Sequence, residues 1–179
     1  MIQKFDEFDL LPSIKTSLSE MGLTEPTEIQ RQAIPLLLSN SSVVGVSETG
    51  SGKTLAFILP ILHKLKVLEA SPSQTATLDG DLVQPKACIV VPTRELGEQV
   101  SKVFKSFTHA TRLRVRTALG GTAFEVSRKN LQSSFEVLIA TPGRLSKLID
   151  SENIDLGAIR VLVFDEADQI LDHGFFADV

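Results

Sequence analysis

Five short apolar runs, separated by segments with helical spacing, constrain the fold of this chain more than any other feature. Most of the runs are continuously apolar rather than alternating, which is typical of strands covered by helices on both faces. Strands that alternate with helices predict a parallel sheet with crossover connections. The sequence therefore predicts an α/β fold with strands at residues 43–46, 87–91, 115–119, 137–140 and 161–164.

Helical spacing is clearest at residues 12–21, 27–38 and 54–67, and the last of these segments is expected to pack against the sheet. The pattern then stops. Residues 69–86 contain no aromatic side chain and few branched apolar ones. Such a composition buries too little surface to offset its ordering entropy, so we predict a mobile surface loop. A functional insert is the alternative for this segment.

Composition sets limits on the class of protein. With 179 residues, 42% of them hydrophobic, the chain can form one domain with a sizeable core. The net charge of -4 means that any contact with nucleic acid must be local. The single cysteine, Cys88, lies in an apolar run and is expected to be buried. No apolar stretch is long enough to span a bilayer and no signal pattern is present, so we expect a soluble, intracellular, cytoplasmic protein.

A glycine-rich segment follows the first predicted strand and leads into a helix. Gly50 and Gly52 allow backbone amides to point inward, and the helix N-terminus adds partial positive charge. Lys53 would reach the outer phosphates of a nucleotide, and the Thr54 hydroxyl would bind Mg²⁺. A chance glycine turn is the alternative, but strand, Gly-Lys-Thr and helix occur in the required order. The predicted phosphate site comprises Ser47, Glu48, Thr49, Gly50, Ser51, Gly52, Lys53 and Thr54.

An acidic group follows the last predicted strand, with the sequence Asp165-Glu166-Ala167-Asp168. Ligands of open parallel sheets bind beyond the carboxyl ends of the strands, so this group is expected on the same edge as Lys53. Asp165 is suited to hold Mg²⁺, mostly through water, and Glu166 to orient and deprotonate an attacking water. A solvated turn is the alternative for an isolated acidic segment.

These features together resemble the DEAD-box family of superfamily 2 RNA helicases, and residues 165–168 spell the family's name. Residues 22–30 resemble its Q motif, and Phe5 stands at the spacing of its isolated upstream aromatic. The resemblance implies that Gln30 pairs with the edge of adenine while Phe5 stacks on the ring, and a Gln amide does offer a donor beside an acceptor. On composition alone, Phe5 would more often be a core residue.

Three further segments resemble the family's RNA-facing motifs, and each follows a predicted strand. They supply helix N-termini, flexible backbone amides and cations, which suit a sugar-phosphate backbone and carry no base readout. Taken alone, the pair of glycines would be more typical of a turn. The residues assigned to RNA are Pro92, Thr93, Arg94, Gly120, Gly121, Thr141, Pro142, Gly143 and Arg144.

Two positions depart from the family pattern. Ser47 replaces a Gly or Ala, and serine is small enough to fit. Gly97 replaces the usual alanine and is expected to cost its helix up to about 1 kcal/mol, which concerns stability rather than function. The resemblance implies a RecA-like, P-loop NTPase fold, in which residues 1–38 form the Q-motif region and 39–179 the first RecA-like domain, without the second domain.

The leading hypothesis is an ATP-dependent RNA helicase with ATP and Mg²⁺ as cofactors, RNA as partner and a monomeric state. The alternatives are a DNA helicase or another phosphate-loop motor, and a non-catalytic RNA or protein clamp. The Q motif and the acidic tetrad argue against the first alternative, and the intact Lys53, Thr54, Asp165 and Glu166 argue against the second. In the resembled family an arginine comes from the second domain, so this chain alone is expected to bind nucleotide but to be nearly inactive.

Overall fold

The computed structural model describes residues 3–70, 83–121 and 123–172. The chain divides into two compact units: unit 1 consists of Met1–Gln74 and Ser106–Arg112, and unit 2 of Thr75–Lys105 and Leu113–Val179. The assignment of residues 1–38 and 39–179 to parts of one domain is not tested by this division and stays a prediction. None of the described helices combines the length and apolar composition needed to cross a bilayer.

Unit 1 is helical. A short 3-10 helix, Phe5–Glu7, precedes α1 (Pro12–Glu20), α2 (Glu28–Leu38) and α3 (Lys53–Glu69), and α5 (Thr108–Thr111) completes the unit. The predicted helices are confirmed to within a few residues. Proline at the start of α1 matches the position where its missing amide costs nothing. The buried side chains of α3 include Ile58, Leu59, Leu62 and Leu65, as the helical spacing indicated.

Unit 2 contains a parallel four-stranded sheet in the order β2-β3-β1-β4. Its strands are β1 (Ala87–Val90), β2 (Val115–Ala118), β3 (Val137–Ala140) and β4 (Val161–Phe164). Its helices are α4 (Arg94–Ser106), α6 (Phe124–Asn130), α7 (Pro142–Asp150) and α8 (Ala167–Asp172). The predicted α/β class with a parallel sheet is confirmed.

The two central strands, β1 and β3, are buried along their whole length, which explains why their sequences lack alternation. Cys88 is fully buried in β1, and burial raises the pKa of its thiol to about 12. The cysteine is therefore a core residue, as predicted, and not a nucleophile at neutral pH. The outer strand β4 alternates between half-buried and exposed positions, so the prediction of a wholly interior sheet is wrong there.

The prediction of a strand at residues 43–46 is wrong. This segment belongs to no ladder among the described residues, and Val44 and Val46 are 94% and 91% exposed. An apolar run becomes a strand only when a neighbouring edge accepts its backbone hydrogen bonds, and here none does. Sequence periodicity indicates that a segment tends to form a strand, but it does not indicate whether a neighbouring strand is available to pair with it.

At both described ends of the predicted loop, residues 69–86, the chain makes defined contacts. Glu69 still belongs to α3, and Val83 forms an isolated parallel bridge with Ile154. Nε2 of Gln84 donates a hydrogen bond to Oδ2 of Asp155 at 2.6 Å. Residues 71–82 lie outside the described part of the chain, so the predicted mobility stays a prediction.

Candidate functional site

The glycine-rich segment of unit 1 closes around the ammonium group of Lys53. Nζ of Lys53 donates hydrogen bonds to the carbonyl oxygens of Ser47 at 2.6 Å and Glu48 at 2.9 Å. The loop reverses through Gly50 and Gly52, whose φ angles of 83° and 95° lie in the left-handed region that favours glycine. Lys53 is also the first residue of α3, so its charge lies at the positive end of the helix.

These groups fit the phosphates of a nucleotide. The amides of Lys53, Thr54 and Leu55 have no intrahelical acceptors, because the residues that would supply them precede the N-cap Gly52. Glu48, Thr49 and Gly50 are exposed, so a ligand can reach the loop. The charge on Lys53 and the free amides supply the donors that phosphate oxygens require.

The donor set also fits a magnesium ion that is bound mainly through water and phosphate. Thr54 offers a hydroxyl oxygen directly after Lys53. Among the described residues, no group of three or more His, Cys, Asp and Glu side chains could hold a metal ion. Because Mg²⁺ usually keeps several waters and takes only one or two protein ligands, such a group is not required.

Gln30 is buried, and its side-chain amide makes two hydrogen bonds within unit 1. Oε1 accepts from the backbone N–H of Thr27 at 2.9 Å, an arrangement that caps the N-terminus of α2. Nε2 donates to the carbonyl oxygen of Gly52 at 2.9 Å. One N–H and one lone pair of the amide remain for a further partner. Gln30 thus lies beside the phosphate loop, as the sequence hypothesis requires.

Phe5 lies in the core of unit 1. Its side chain is 3% exposed, its ring centroid is 5.9 Å from that of Phe8, and its N–H donates to the carbonyl oxygen of Thr24. Stacking on adenine would require one face of the ring to become exposed. The core interpretation that composition favoured describes its position here, and the stacking role stays a prediction.

The acidic residues follow β4 in unit 2. Asp165 is buried, and its backbone N–H donates to the carbonyl oxygen of Val90 in the neighbouring strand β1. Glu166 is half-buried with φ of 52°, a left-handed conformation that costs a non-glycine residue about 1–2 kcal/mol. α8 begins at the next residue. Strain of this kind persists only where the surrounding structure holds it, and such positions often cluster at active sites.

The residues predicted to face RNA meet at one edge of the sheet. The strand register aligns Val90 with Ala140, and Ala140 with Ala118, so three strands end at the same level. A Cβ atom built on Gly121 would lie 3.2 Å from Nη1 of Arg94, and one on Gly120 would lie 4.0 Å from Oγ1 of Thr141. The loops after β1, β2 and β3 therefore contact each other.

The helices that start at this edge are aligned by local interactions. Oγ1 of Thr93 accepts a hydrogen bond from the N–H of Leu96 at 3.2 Å, which caps α4. Pro142 stands at the first position of α7, where proline is favoured. Pro92 and Gly143 are half-buried beside these helix starts. Pro142 itself is buried, whereas the side chain of Arg94 at the start of α4 is exposed.

Two residues that sequence reasoning missed hold the arginines in place. Oε1 of Glu98 accepts from Nε of Arg94 at 2.8 Å, and the spacing of four residues on a helix could have revealed this pair. The guanidinium carbon of Arg144 lies 5.7 Å from the ring centroid of Phe124, a cation–π contact. No sequence signal links Phe124 to Arg144, because the two residues belong to different helices.

Comparisons with known proteins agree with these features. Residues 27–179 match the family model described as DEAD/DEAH box helicase. The chain is 40% identical over 177 residues to an ATP-dependent RNA helicase RhlB of Serratia proteamaculans, and 39% identical to one of Escherichia coli K12. Each alignment covers 99% of this chain, but the chain spans only 40% and 41% of these relatives.

Solved structures give the same result. A DEAD box protein from Methanococcus jannaschii matches with a TM-score of 0.83 and 30% identity, over 99% of this chain and 45% of that one. Prp28 from Chaetomium thermophilum bound to ADP matches with a TM-score of 0.83 and 32% identity, over 99% and 41%. The fold is thus that of RecA-like DEAD-box domains, and the chain belongs to the DEAD/DEAH box helicase family.

Proposed function

We propose that this chain is the ATP-binding part of an ATP-dependent RNA helicase. The observation that carries the proposal is the glycine-rich loop, whose carbonyl oxygens hold the Lys53 ammonium at the N-terminus of α3. Family membership and two relatives named as ATP-dependent RNA helicases support it. A structural neighbour of the same fold is described as bound to ADP.

In this proposal Lys53 exchanges the carbonyl oxygens of Ser47 and Glu48 for the outer phosphate oxygens of ATP. A charged amine satisfied by two backbone carbonyls is already oriented, so binding requires little reorganisation. The neighbouring residues of the loop, 47–52, would donate their amides to the phosphates. Gln30 would read adenine with the donor and acceptor capacity that its bonds to Thr27 and Gly52 leave unused.

The catalytic roles proposed here rest on the sequence motifs of the family. Thr54 and Asp165 would hold Mg²⁺, which would neutralise charge on the phosphates when bound. Glu166 would orient the attacking water and accept its proton. Its left-handed backbone, held by the surrounding structure, sets the direction in which the side chain leaves the chain.

Arg94, Arg144 and the Gly120-Gly121 turn would bind the sugar-phosphate backbone of RNA. Their supporting contacts favour this use: Glu98 orients the Arg94 guanidinium, and Phe124 lies beneath that of Arg144. Cations and backbone amides recognise phosphates without reading bases, so the proposed binding is independent of sequence. Single-stranded RNA is the partner that suits a surface where the exposed Arg94 and the half-buried Arg144 lie at the same end of the sheet.

A first experiment tests nucleotide binding by titrating a fluorescent ADP analogue into the chain. Lys53→Ala should weaken binding at least about tenfold, equivalent to about 1.4 kcal/mol. Lys66→Ala is the matched control, because Lys66 lies in the same helix and pairs with Glu69 in its last turn. Equal affinity of the parent and the Lys53 variant would refute the phosphate site.

A second experiment tests hydrolysis by measuring phosphate release with single-stranded RNA, with DNA and without nucleic acid. We expect the complete protein to be stimulated by RNA and slowed by Glu166→Gln, which keeps the shape but cannot accept the proton. The chain alone should turn over far below about 1 per second, since an arginine supplied by a second domain is worth about 10³–10⁵ in rate. Stimulation by DNA alone would favour a DNA helicase.

A further inference from the structure

A second basic site lies in unit 2, and none of its lining residues is among those assigned above. A cleft of about 420 Å³ runs along β2, between the C-terminal halves of α4 and α6. Three of its lining residues are the cations Lys105, Arg116 and Lys129, and no described residue of its lining carries a carboxylate. In a chain with a net charge of -4, this concentration of positive charge departs from the average surface.

The cleft contains a buried hydroxyl group without a partner. Ser101 lines it and is 3% exposed, yet its Oγ makes no hydrogen bond within the described part of the chain. Serine within a helix usually bonds a carbonyl oxygen of the preceding turn, and a buried hydroxyl left unpaired destabilises the fold. The hydroxyl therefore lacks a partner that a ligand in the cleft would supply if it reached Ser101.

Arg116 is oriented at the edge of the sheet. Nη2 donates to Oγ of Ser133 at 3.1 Å, and Nη1 donates to the carbonyl oxygen of Val115 at 3.3 Å. A guanidinium carries five N–H donors in a fixed plane, so these two bonds set its direction and leave donors for an anion. Thr117 adds a further hydroxyl to the lining.

We propose that this cleft binds the phosphate group of an anionic ligand. Three cations and three hydroxyl groups match the charge and the acceptors of a phosphate, and the absence of an aromatic ring from the lining excludes stacking of a base. The phosphate can belong to free pyrophosphate or to an RNA backbone. The RNA source rests on the function proposed above, whereas the free-phosphate source does not.

The test is titration of the ¹⁵N-labelled chain with pyrophosphate, followed by amide chemical shifts. Shifts at Thr117 and Asn130 report on the cleft, and those at Gly50 report on the phosphate loop. We expect Arg116→Gln combined with Lys129→Gln to weaken the response at the cleft by about tenfold or more, with the Gly50 response unchanged. Lys102→Gln, an exposed cation of α4 outside the cleft, should match the parent.

Ser101→Ala provides a second variant that does not depend on surface charge. Removing the unpaired hydroxyl should raise the melting temperature while weakening pyrophosphate binding at the cleft. If Ser101 had a purely structural role, the substitution would raise the melting temperature and leave pyrophosphate binding unchanged. A Ser101→Ala chain that binds as tightly as the parent would refute its place in the site.

A titration with short single-stranded oligouridylate distinguishes the two sources. Shifts at Thr117 and Asn130 with pyrophosphate alone assign the cleft to free phosphates, and shifts that are also seen with RNA extend it to the RNA backbone. No response at either amide to either ligand, or a response that the double variant leaves unchanged, overturns the proposal. A response at Gly50 alone would support the phosphate loop and still overturn the second site.

Discussion

Nε2 of Gln30 donates a hydrogen bond to the carbonyl oxygen of Gly52 at 2.9 Å, which joins the start of α2 to the glycine-rich loop. The same amide accepts from the N–H of Thr27, so one side chain both caps a helix and supports the loop. A residue expected to read a nucleotide base therefore also stabilises the free protein.

Gln30→Ala should consequently reduce stability as well as base selectivity. Loss of the cap and of a buried hydrogen bond should lower the free energy of unfolding by about 1–2 kcal/mol. The preference for ADP over GDP should disappear. Gln32→Ala is the matched control, because Gln32 is exposed and its side chain bonds Glu28 of its own helix. Chemical denaturation measures the stability, and nucleotide titration measures the base selectivity. A Gln30→Ala chain as stable as the parent would contradict the capping role.

Gly52 and Gly50 form a matched pair for testing the contact between the start of α2 and the glycine-rich loop. Both have left-handed φ angles, so alanine at either position costs about 1–2 kcal/mol of backbone strain. A Cβ atom at Gly52 would also collide with Nε2 of Gln30 and lie 2.9 Å from Oγ1 of Thr27, whereas one at Gly50 would contact nothing within 4 Å. Gly52→Ala should therefore destabilise by at least about 1 kcal/mol more than Gly50→Ala in urea denaturation. Equal losses would show that the loop relaxes freely.

The elements predicted correctly from the sequence are those whose signal is local. The strands β1 and β3 appear as apolar runs because both of their faces are buried, and α3 follows Gly52 because glycine permits the left-handed turn before the helix. The residues predicted to face RNA lie at one end of the sheet because parallel strands in register end together.

The features that the sequence could not reveal depend on partners distant in the chain. Whether Val44 and Val46 join a sheet depends on a neighbouring strand edge, which lies outside residues 43–46. The contact of Arg144 with Phe124 joins two helices. No periodicity within a single segment contains this information.

Close packing around position 97 explains why glycine stands where the family usually has alanine. A Cβ atom there would lie 2.5 Å from Cδ2 of Leu119 and 3.2 Å from Cγ2 of Val91, so the glycine lets α4 approach the residues that follow β1 and β2. Gly97→Ala should destabilise by about 1 kcal/mol, because overpacking outweighs the gain in helix propensity. In a Leu119→Val background, which removes the Cδ atoms, the same change should become neutral or stabilising. A double-mutant cycle by urea denaturation measures this coupling, and additivity would refute the contact.

Glu136 should make unit 2 sensitive to acid. Burial alone would raise the pKa of Glu136, but hydrogen bonds from the side chain and backbone of Arg114 lower it below its ordinary value of 4.5. A depressed pKa contributes stability that is present above the unfolded value and is lost as the pH falls through the folded value. Melting temperatures between about pH 6 and pH 3 should therefore fall less for Glu136→Gln than for the parent. Arg114→Gln removes the guanidinium but keeps the backbone N–H donor, so it should raise the pKa of the half-buried Glu136 carboxyl only in part. Identical profiles for all three chains would contradict the ion pair.

The outer strand β4 affects the tendency of the purified chain to aggregate in solution. Among the described residues it pairs only with β1, and Leu162 and Phe164 are 54% and 37% exposed. A free strand edge with apolar side chains is a template on which further molecules can add by backbone hydrogen bonding. Concentrated stocks should therefore aggregate, and the natural remedy is a charged gatekeeper on that edge, such as Leu162→Lys.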